Sequence, residues 1–303
     1  MTIPSRVKLV EVGPRDGLQN EKQPVPAAIK IELVHRLQDA GLTEIEVTSF
    51  VSPKWVPQMG DNAAVMAGVQ RKPGVRYSVL TPNMQGFETA LKSGPDEIVV
   101  FGAASEAFSQ KNINCSIAES IERFRPVVHA ALEKGLTVRG AISCAVGCPY
   151  EGEIAPERVE RVAWLMHDIG VQHVGVADTI GVGTPLKVQK ALEATLKVYG
   201  IDHISGHFHD TYGMALANTL ASLQMGIWNF DTSVAGLGGC PYAKGATGNV
   251  ASEDVVYLLH GMGIETGIDL DKLVDAGKFI SDFLQRKPNS RAAAALLNKR
   301  SGA

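Results

Sequence analysis

The feature that most constrains the fold is one pattern that recurs eight times: a short apolar run, a polar or glycine-rich loop, and a longer segment of helical periodicity. The predicted strands are residues 7–12, 44–49, 75–80, 97–101, 137–144, 173–177, 203–208 and 229–233. The predicted helices are residues 27–40, 62–70, 84–92, 117–133, 156–169, 185–199, 214–225 and 252–262. Pro156 and Pro185 suit first helical positions, and Gly41 and Gly170 suit helix ends. The chain is therefore predicted to contain eight strand–helix units.

Eight alternating units favour an α/β fold in which a parallel sheet closes into a (β/α)8, or TIM, barrel. The rival is an open doubly wound sheet, which usually carries a glycine-rich dinucleotide fingerprint in its first strand–helix turn. The first turn here reads Gly-Pro-Arg-Asp-Gly at residues 13–17, which is no such fingerprint. Further helices are predicted at 269–285 and 291–298. We predict one domain over residues 1–303, with the barrel at about 6–265 and a C-terminal helical extension at about 266–303.

Composition excludes several classes of partner. The chain has 45% hydrophobic residues, a formal net charge of −3 and a pI near 6.3, so no overall positive field favours nucleic acid or an anionic membrane. Its four cysteines are too few for a disulfide scaffold and suit a reducing compartment. No run of 18 apolar residues predicts a membrane span, and the first residues resemble neither a signal peptide nor a transit peptide. A cytoplasmic location is predicted.

Polar residues interrupt or end several predicted strands, although parallel barrel strands normally read as continuous apolar runs. Arg15 and Asp16 follow the first strand, Glu46 interrupts the second, Asp178 follows the sixth, and His207 lies in the seventh. In a (β/α)8 barrel, the carboxyl ends of the strands and the loops beyond them form the face that carries active sites. Each residue alone could cap a loop or belong to a structural ion pair. Their convergence from several strands favours an active site.

A His-x-His pair lies in the seventh unit. Alternating side chains along a strand would place His207 and His209 on one face, where both can bind one divalent metal, although two buried or solvent-facing histidines are the simpler alternative. Asp16 adds a carboxylate, and Asn249 adds a neutral oxygen donor after the eighth strand. This mixed oxygen and nitrogen set suits octahedral Mg2+, Mn2+ or Co2+ better than a closed zinc site. Arg15 beside such a metal could stabilise a developing oxyanion.

Three runs of the chain resemble the 3-hydroxy-3-methylglutaryl-CoA lyase family, within a superfamily of metal-dependent lyases and synthases. They are VGPRDGLQNE at residues 12–21, TSFVSPKWVPQM at residues 48–59, and residues 233–252, which include the glycine-rich loop around Cys240. The resemblance spans roughly residues 6–290, and the cysteine loop is the part most specific to the lyases. The fold that it implies is again the TIM barrel.

The resemblance also implies roles for individual residues. Metal ligands would be Asp16, His207, His209 and Asn249. Arg15 would stabilise an enolate, and Cys240, on a mobile loop, would act in proton transfer. Catalytic positions would further include Glu46 and Asp178, which shape the site. The coenzyme A thioester would meet Arg15, Gln19 and Lys22.

The implied reaction is carbon–carbon cleavage of (S)-3-hydroxy-3-methylglutaryl-CoA into acetyl-CoA and acetoacetate. A divalent metal, Mg2+ or Mn2+, would lower the pKa of the tertiary alcohol so that a base, His207 or an Asp-assisted water, removes its proton. No oxidation state changes, so no nicotinamide, flavin or pyridoxal phosphate is expected. The family further implies an acyl-CoA as small-molecule partner, a homodimer, and a place in leucine breakdown or ketone-body metabolism.

Two other functions stay open. One is an acyl-CoA condensing synthase of the same superfamily, of the isopropylmalate or homocitrate type, which would share the Arg-Asp pair and the His-x-His. The absence of room for a regulatory domain, together with the cysteine loop, favours the lyase. The other is a metal-binding barrel without catalysis, which would need neither Arg15 nor Cys240.

Overall fold

The computed structural model describes residues 3–239 and 248–302 and contains the predicted barrel. Eight parallel strands pair in chain order, and the eighth pairs back with the first, which closes the sheet. The strands are β1 Lys8–Glu11, β2 Glu44–Ser49, β3 Arg76–Leu80, β4 Glu97–Ala103, β5 Thr137–Ser143, β6 His173–Asp178, β7 Ile204–Phe208 and β8 Asn229–Thr232. The (β/α)8 fold predicted from the repeated pattern is confirmed.

Helices surround the barrel. They are α1 Ala27–Asp39, α2 Asn62–Gly68, α3 Met84–Leu91, α4 Glu106–Ile113, α5 Ile117–Glu133, α6 Pro156–Asp168, α7 Pro185–Leu196, α8 Ala215–Gln224, α9 Ser252–Gly261, α10 Leu270–Phe283 and α11 Arg291–Arg300. Within the described parts of the chain, no helix is both long and apolar enough to span a membrane.

Local signals explain where helices begin. Ser116 caps α5 in a capping box with Glu119, in which each side chain bonds to the backbone N–H of the other residue. Pro156 and Pro185 lie at the first positions of α6 and α7, as predicted, because a first-turn residue needs no N–H partner. α10 and α11 confirm the predicted C-terminal helices, and α10 packs against α1 and α9.

Besides short 3-10 turns, three features of the described parts of the chain escaped prediction. α4 lies in a loop after β4, and its mixed sequence EAFSQKNI lacks a clear apolar face. A short antiparallel pair joins Gly147–Cys148 to Gly152–Glu153, too briefly for any periodicity to reveal it. Residues Gly13–Gly17 form a single π-helical turn after β1. Such turns occur frequently at functional sites, and this one carries Arg15 and Asp16.

The register of the barrel brings two polar residues side by side. On neighbouring strands, Asp231 of β8 pairs with His207 of β7, and His207 pairs in turn with Ala177 of β6. Side chains at paired positions of parallel strands point to the same face of the sheet. Asp231 and His207 therefore face the same space near the carboxyl ends of the strands.

Candidate active site

A cavity of about 1370 Å³ opens at the carboxyl ends of the barrel strands. Its wall includes Arg15, Asp16, Glu46, His207 and His209, which reach it from β1, β2 and β7 and the turns that follow them. This is the face on which (β/α)8 barrels carry their active sites. The structure therefore brings together most of the residues that the sequence singled out.

Asp16, His207 and His209 form a cluster suited to a metal. One ligand atom from each lies within 4.8 Å of the others. His207 Nε2 is 4.0 Å from Asp16 Oδ2, and the two imidazole centroids are 5.5 Å apart. One carboxylate and two imidazoles at this spacing match the donor set of a divalent cation site.

The backbone of Asn249 pairs with that of His209 in an isolated antiparallel β-bridge, which brings Asn249 to this cluster. The side-chain Nδ2 of Asn249 donates a hydrogen bond to Asp16 Oδ2 at 2.8 Å, which holds the amide next to the carboxylate. The buried Asn249 Oδ1 and the buried His209 Nδ1 have no hydrogen-bond partner among the residues that the structure describes. Buried polar atoms without partners are costly, so a bound cation close to these donors would offset a real penalty. The residues present fit a divalent metal.

The electrostatics favour the ionisation states that a metal needs. Burial opposes ionisation of Asp16, but the charges of Arg15 and His207 outweigh it and hold the pKa of this carboxyl well below its usual range. Burial, with the neighbouring His207, lowers the pKa of His209 to about 4. Asp16 is thus an anion and His209 a neutral imidazole at neutral pH, which are the protonation states of metal ligands.

Asp16 and His207 of this cluster also belong to a ring of ionisable groups of alternating sign, which we call the charged ring: Asp16, Arg15, Glu46, Arg139, Asp231 and His207. Arg15 donates through Nη1 to Asp16 Oδ1 at 2.7 Å and through Nε to Glu46 Oε1 at 2.6 Å. Arg139 donates to Glu46 Oε2 at 3.0 Å and to Asp231 at 2.9 Å, and Asp231 Oδ2 lies 3.2 Å from His207 Nδ1. Every buried charge in the ring has an opposite charge beside it.

Sequence reasoning missed Arg139 and Asp231. Both interrupt predicted strands, and this is the signal that drew attention to Glu46. Lys111 and Arg123 also line the cavity, and nothing in the sequence distinguishes them from surface cations. Together with the predicted Lys22 they add three cations to the cavity wall, which favours an anionic ligand.

The remaining predicted residues fall in different places. Gln19 and Lys22 line the cavity together with Arg15, which was predicted both to stabilise the enolate and to contact the coenzyme A thioester. The carboxylate of Asp178 is fully buried and accepts the backbone N–H groups of Val182 and Gly183 at 3.1 and 2.7 Å, so it directly holds the loop after β6. Cys240 lies outside the described residues.

The geometry agrees with a family match. A family model described as HMGL-like matches residues 6–280. The barrel and its charged, metal-suited cavity thus belong to a (β/α)8-barrel protein of the HMGL-like class.

Named relatives narrow this class. A curated protein of Pseudomonas aeruginosa, "3-hydroxy-3-isohexenylglutaryl-CoA/hydroxy-methylglutaryl-CoA lyase", is 59% identical over 99% of this chain and 100% of its own length. A crystal structure of hydroxymethylglutaryl-CoA lyase from the same organism, also 59% identical, covers 99% of this chain and 100% of its own with a TM-score of 0.96. The chain belongs to the hydroxymethylglutaryl-CoA lyase family.

A more distant solved lyase, from Acinetobacter baumannii, is in complex with coenzyme A and 3-methylmalate. It is 33% identical, covers 97% of this chain and 96% of its own, and superposes with a TM-score of 0.93.

Proposed function

We propose that this chain cleaves (S)-3-hydroxy-3-methylglutaryl-CoA into acetyl-CoA and acetoacetate with the help of Mg2+ or Mn2+. The observation that carries the proposal is the convergence of Asp16, His207 and His209 in one cavity, with the guanidinium of Arg15 bonded to Asp16. The metal ligands suit a cation that binds the alcohol, and the fixed guanidinium beside them suits the oxyanion that develops on a nearby part of the substrate. Coenzyme A bound to the lyase from A. baumannii supports a thioester substrate.

Asp16, His207, His209 and Asn249 would hold the metal. When bound, it supplies Lewis acidity that lowers the pKa of the tertiary alcohol. Loss of the hydroxyl proton lets the carbon–carbon bond break, which gives the ketone of acetoacetate and the enolate of acetyl-CoA. A proton delivered to the enolate carbon completes the products.

Arg15 would stabilise the negative charge on the thioester oxygen. Its Nε and Nη1 are bound by Glu46 and Asp16, which fixes the plane of the guanidinium. Nη2 has no hydrogen-bond partner among the residues that the structure describes, so it keeps a donor for substrate. A preorganised donor of this kind costs no reorganisation during the reaction.

The other predicted roles are supporting ones. Glu46 would keep Arg15 in place, and Asp178 would hold the loop after β6. Gln19 and Lys22 would contact the coenzyme A portion of the substrate. Its phosphates suit the cationic residues of the cavity wall. Cys240 would protonate the enolate carbon.

A longer substrate is a second candidate. The P. aeruginosa relative's name includes 3-hydroxy-3-isohexenylglutaryl-CoA, which has a larger group at the 3-position. The apolar residues Val99, Phe101 and Ala141 line the cavity and could meet such a group. Comparison of kcat/KM for the methyl and isohexenyl thioesters decides between a strict and a broad enzyme.

We also propose that the protein is a cytoplasmic homodimer that acts in leucine breakdown or ketone-body metabolism, and that it is one domain. Cys115 and Cys148 are buried free thiols, which suits a reducing compartment. The dimer and the pathway rest on the family. Light scattering of the purified protein measures the oligomeric state.

The function is tested by incubation with the thioester and Mg2+ while acetyl-CoA and acetoacetate are measured. Equal release of both products supports the lyase. Formation of a longer acyl acid from acetyl-CoA and a keto acid would instead identify a condensing synthase. Metal binding without either reaction would identify a non-catalytic barrel.

A further inference from the structure

We propose that Asp231, held in place by Arg139, is a positioning residue that fixes the tautomer of His207 and aims its Nε2 at the metal site. The proposal rests on the proposed function only for the catalytic role of the metal site. Asp231 is 3% exposed on β8, and its Oδ2 is 3.2 Å from His207 Nδ1 on the neighbouring strand. The strand register sets this contact, because Asp231 and His207 are paired positions.

Arg139 fixes the charge and orientation of Asp231. Its Nη1 donates to both oxygens of Asp231, at 3.0 Å to Oδ1 and 2.9 Å to Oδ2. Its Nη2 donates to Glu46 Oε2, so one guanidinium ties β8 to β2 across the barrel interior. A carboxylate held by two such bonds cannot turn away from the imidazole.

The tautomer follows from these contacts. A carboxylate paired with arginine is only an acceptor, so Nδ1 keeps a proton and donates a hydrogen bond to Asp231, and Nε2 is the nitrogen that gives up its proton when a cation binds. Nε2 then carries the lone pair, and it lies 4.0 Å from Asp16 Oδ2 within the ligand cluster. A carboxylate that orients a metal-binding histidine through its other nitrogen is a known way to tune such sites.

This arrangement has a consequence for the chemistry. With Nδ1 bonded to Asp231 and Nε2 turned to the metal site, His207 has no nitrogen left to take the proton of the alcohol. The geometry therefore favours a water beside Asp16 over His207, the two candidates that the sequence left open for the base.

A matched control is available on the same arginine. Glu97 Oε1 is 3.4 Å from Arg139 Nε, and Glu97 is buried like Asp231. Its other partners are Arg76 and Thr137, and it contacts no residue of the ligand cluster. Glu97→Gln thus removes a buried carboxylate from Arg139 without touching His207.

The test compares Asp231→Asn, Asp231→Glu and Glu97→Gln with the wild-type chain. After chelator treatment, Mn2+ affinity is measured by titration and thermal unfolding is measured in parallel. Asp231→Asn is expected to weaken Mn2+ binding about 10–100-fold. Asp231→Glu is expected to recover part of the loss, and Glu97→Gln is expected to leave Mn2+ affinity unchanged even if it lowers the unfolding temperature. Wild-type affinity in Asp231→Asn, or an equal loss in Glu97→Gln, would overturn the proposal.

A second readout needs no metal. Proton–nitrogen NMR of the metal-free protein with labelled histidine reports which nitrogen of His207 carries the proton, assigned with a His207→Asn variant. A proton on Nδ1, bonded to Asp231, is expected in the wild type and is expected to be lost in Asp231→Asn. An Nδ1 without a proton in the wild type would overturn the proposal. If the tautomer and the Mn2+ results hold but no acetoacetate forms, the proposed function fails while the positioning role stands.

Discussion

Two groups of buried carboxylates in this barrel have pKa shifts of opposite direction. In the charged ring, Asp16 and Asp231 are paired with arginines. Outside it, Glu11 at the end of β1 and Glu253 in α9 are fully buried, and no salt bridge to either is found within the parts of the chain that the structure describes. We call these two residues the uncharged pair, because burial raises the pKa of Glu11 to about 7 and that of Glu253 to about 8, so that both are neutral in mildly acidic solution.

The difference shows that the partner, and not burial, decides the charge. Burial also opposes ionisation of Asp231, yet Arg139 and His207 hold its pKa below the usual range. The uncharged pair has hydrogen-bond donors in place of cations: Glu11 accepts the N–H groups of Gly13 and Val234, and Glu253 accepts that of Ala235. In these two residues the hydrogen bonds do not outweigh the burial that raises the pKa.

The two groups therefore support different functions. The charged ring keeps fixed charges around the cavity. The uncharged pair holds the turn Val234–Gly236, in which Ala235 has a φ of 56°, a backbone conformation that a residue with a Cβ adopts at a cost. This turn precedes the loop that carries Cys240.

The largest effect is expected from Asp16→Asn. The change keeps the shape but removes the carboxylate charge from the ligand cluster, so Mn2+ binding and acetoacetate formation should both fall below detection. Asp202→Asn is the control, since Asp202 lies before β7 at the other end of the barrel, where it accepts a hydrogen bond from Nε1 of Trp228. Normal Mn2+ affinity in Asp16→Asn would show that Asp16 is not a metal ligand.

Cys240→Ser tests whether the loop that follows the uncharged pair takes part in the chemistry. The loop sequence Gly-Leu-Gly-Gly-Cys-Pro at residues 236–241 suits a segment that changes conformation with substrate. Turnover is expected to slow by about 10²–10⁴, the range for loss of a positioned proton donor, while Mn2+ affinity is unchanged. A near-normal kcat would mean that Cys240 takes no part in proton transfer and that the loop acts at most as a lid.

Arg15→Gln tests the cation of the ring that is proposed to face the substrate. We expect kcat to fall by about 10²–10³, the usual loss for one oxyanion-stabilising donor. Glu46 keeps its bond to Arg139 in this variant, so the unfolding temperature should fall less than the rate suggests. A loss of stability without a loss of rate would make Arg15 a structural ion-pair partner only.

The smallest effect is expected from Glu253→Gln, and it concerns stability. The unfolded chain releases this proton near pH 4.5, whereas the folded chain keeps it until about pH 8, so the free energy of unfolding should fall as pH rises between these values. The slope for one such group reaches about 1 kcal/mol per pH unit. Glu253→Gln should flatten the slope, and Glu88→Gln on the exposed face of α3 should not. Parallel slopes for the wild type and Glu253→Gln would mean that Glu253 is ionised in the folded protein.

Much of the fold is predictable because each unit repeats the same local signals. The range of β2 and that of α5 are the predicted ones to the residue, and most other ends differ by one or two residues. α4 and the π-helical turn are not predictable in this way. Their sequences lack an apolar period, and contacts with the barrel determine their conformation.

Most of the site was predictable, including Glu46 and His207 within strands, but Arg139 and Asp231 were missed. Asp16 and His209 lie beyond strand ends, which marks them as rim residues. Arg139 and Asp231 come from β5 and β8, and their partnership depends on closure of the barrel, which no local pattern encodes. A buried arginine within a strand requires acids from other strands, and this reasoning would have pointed to Asp231 and Glu46.

The central claim is that the charged ring is built around a divalent metal that the cleavage requires. The most direct measurement is acetoacetate formation by protein that has been stripped with a chelator and verified to be metal-free, before and after addition of Mg2+ or Mn2+. We predict no turnover in the stripped protein and its recovery with either ion, because Asp16, His207 and His209 cannot polarise the alcohol unaided. Full activity in the verified metal-free protein would contradict the account.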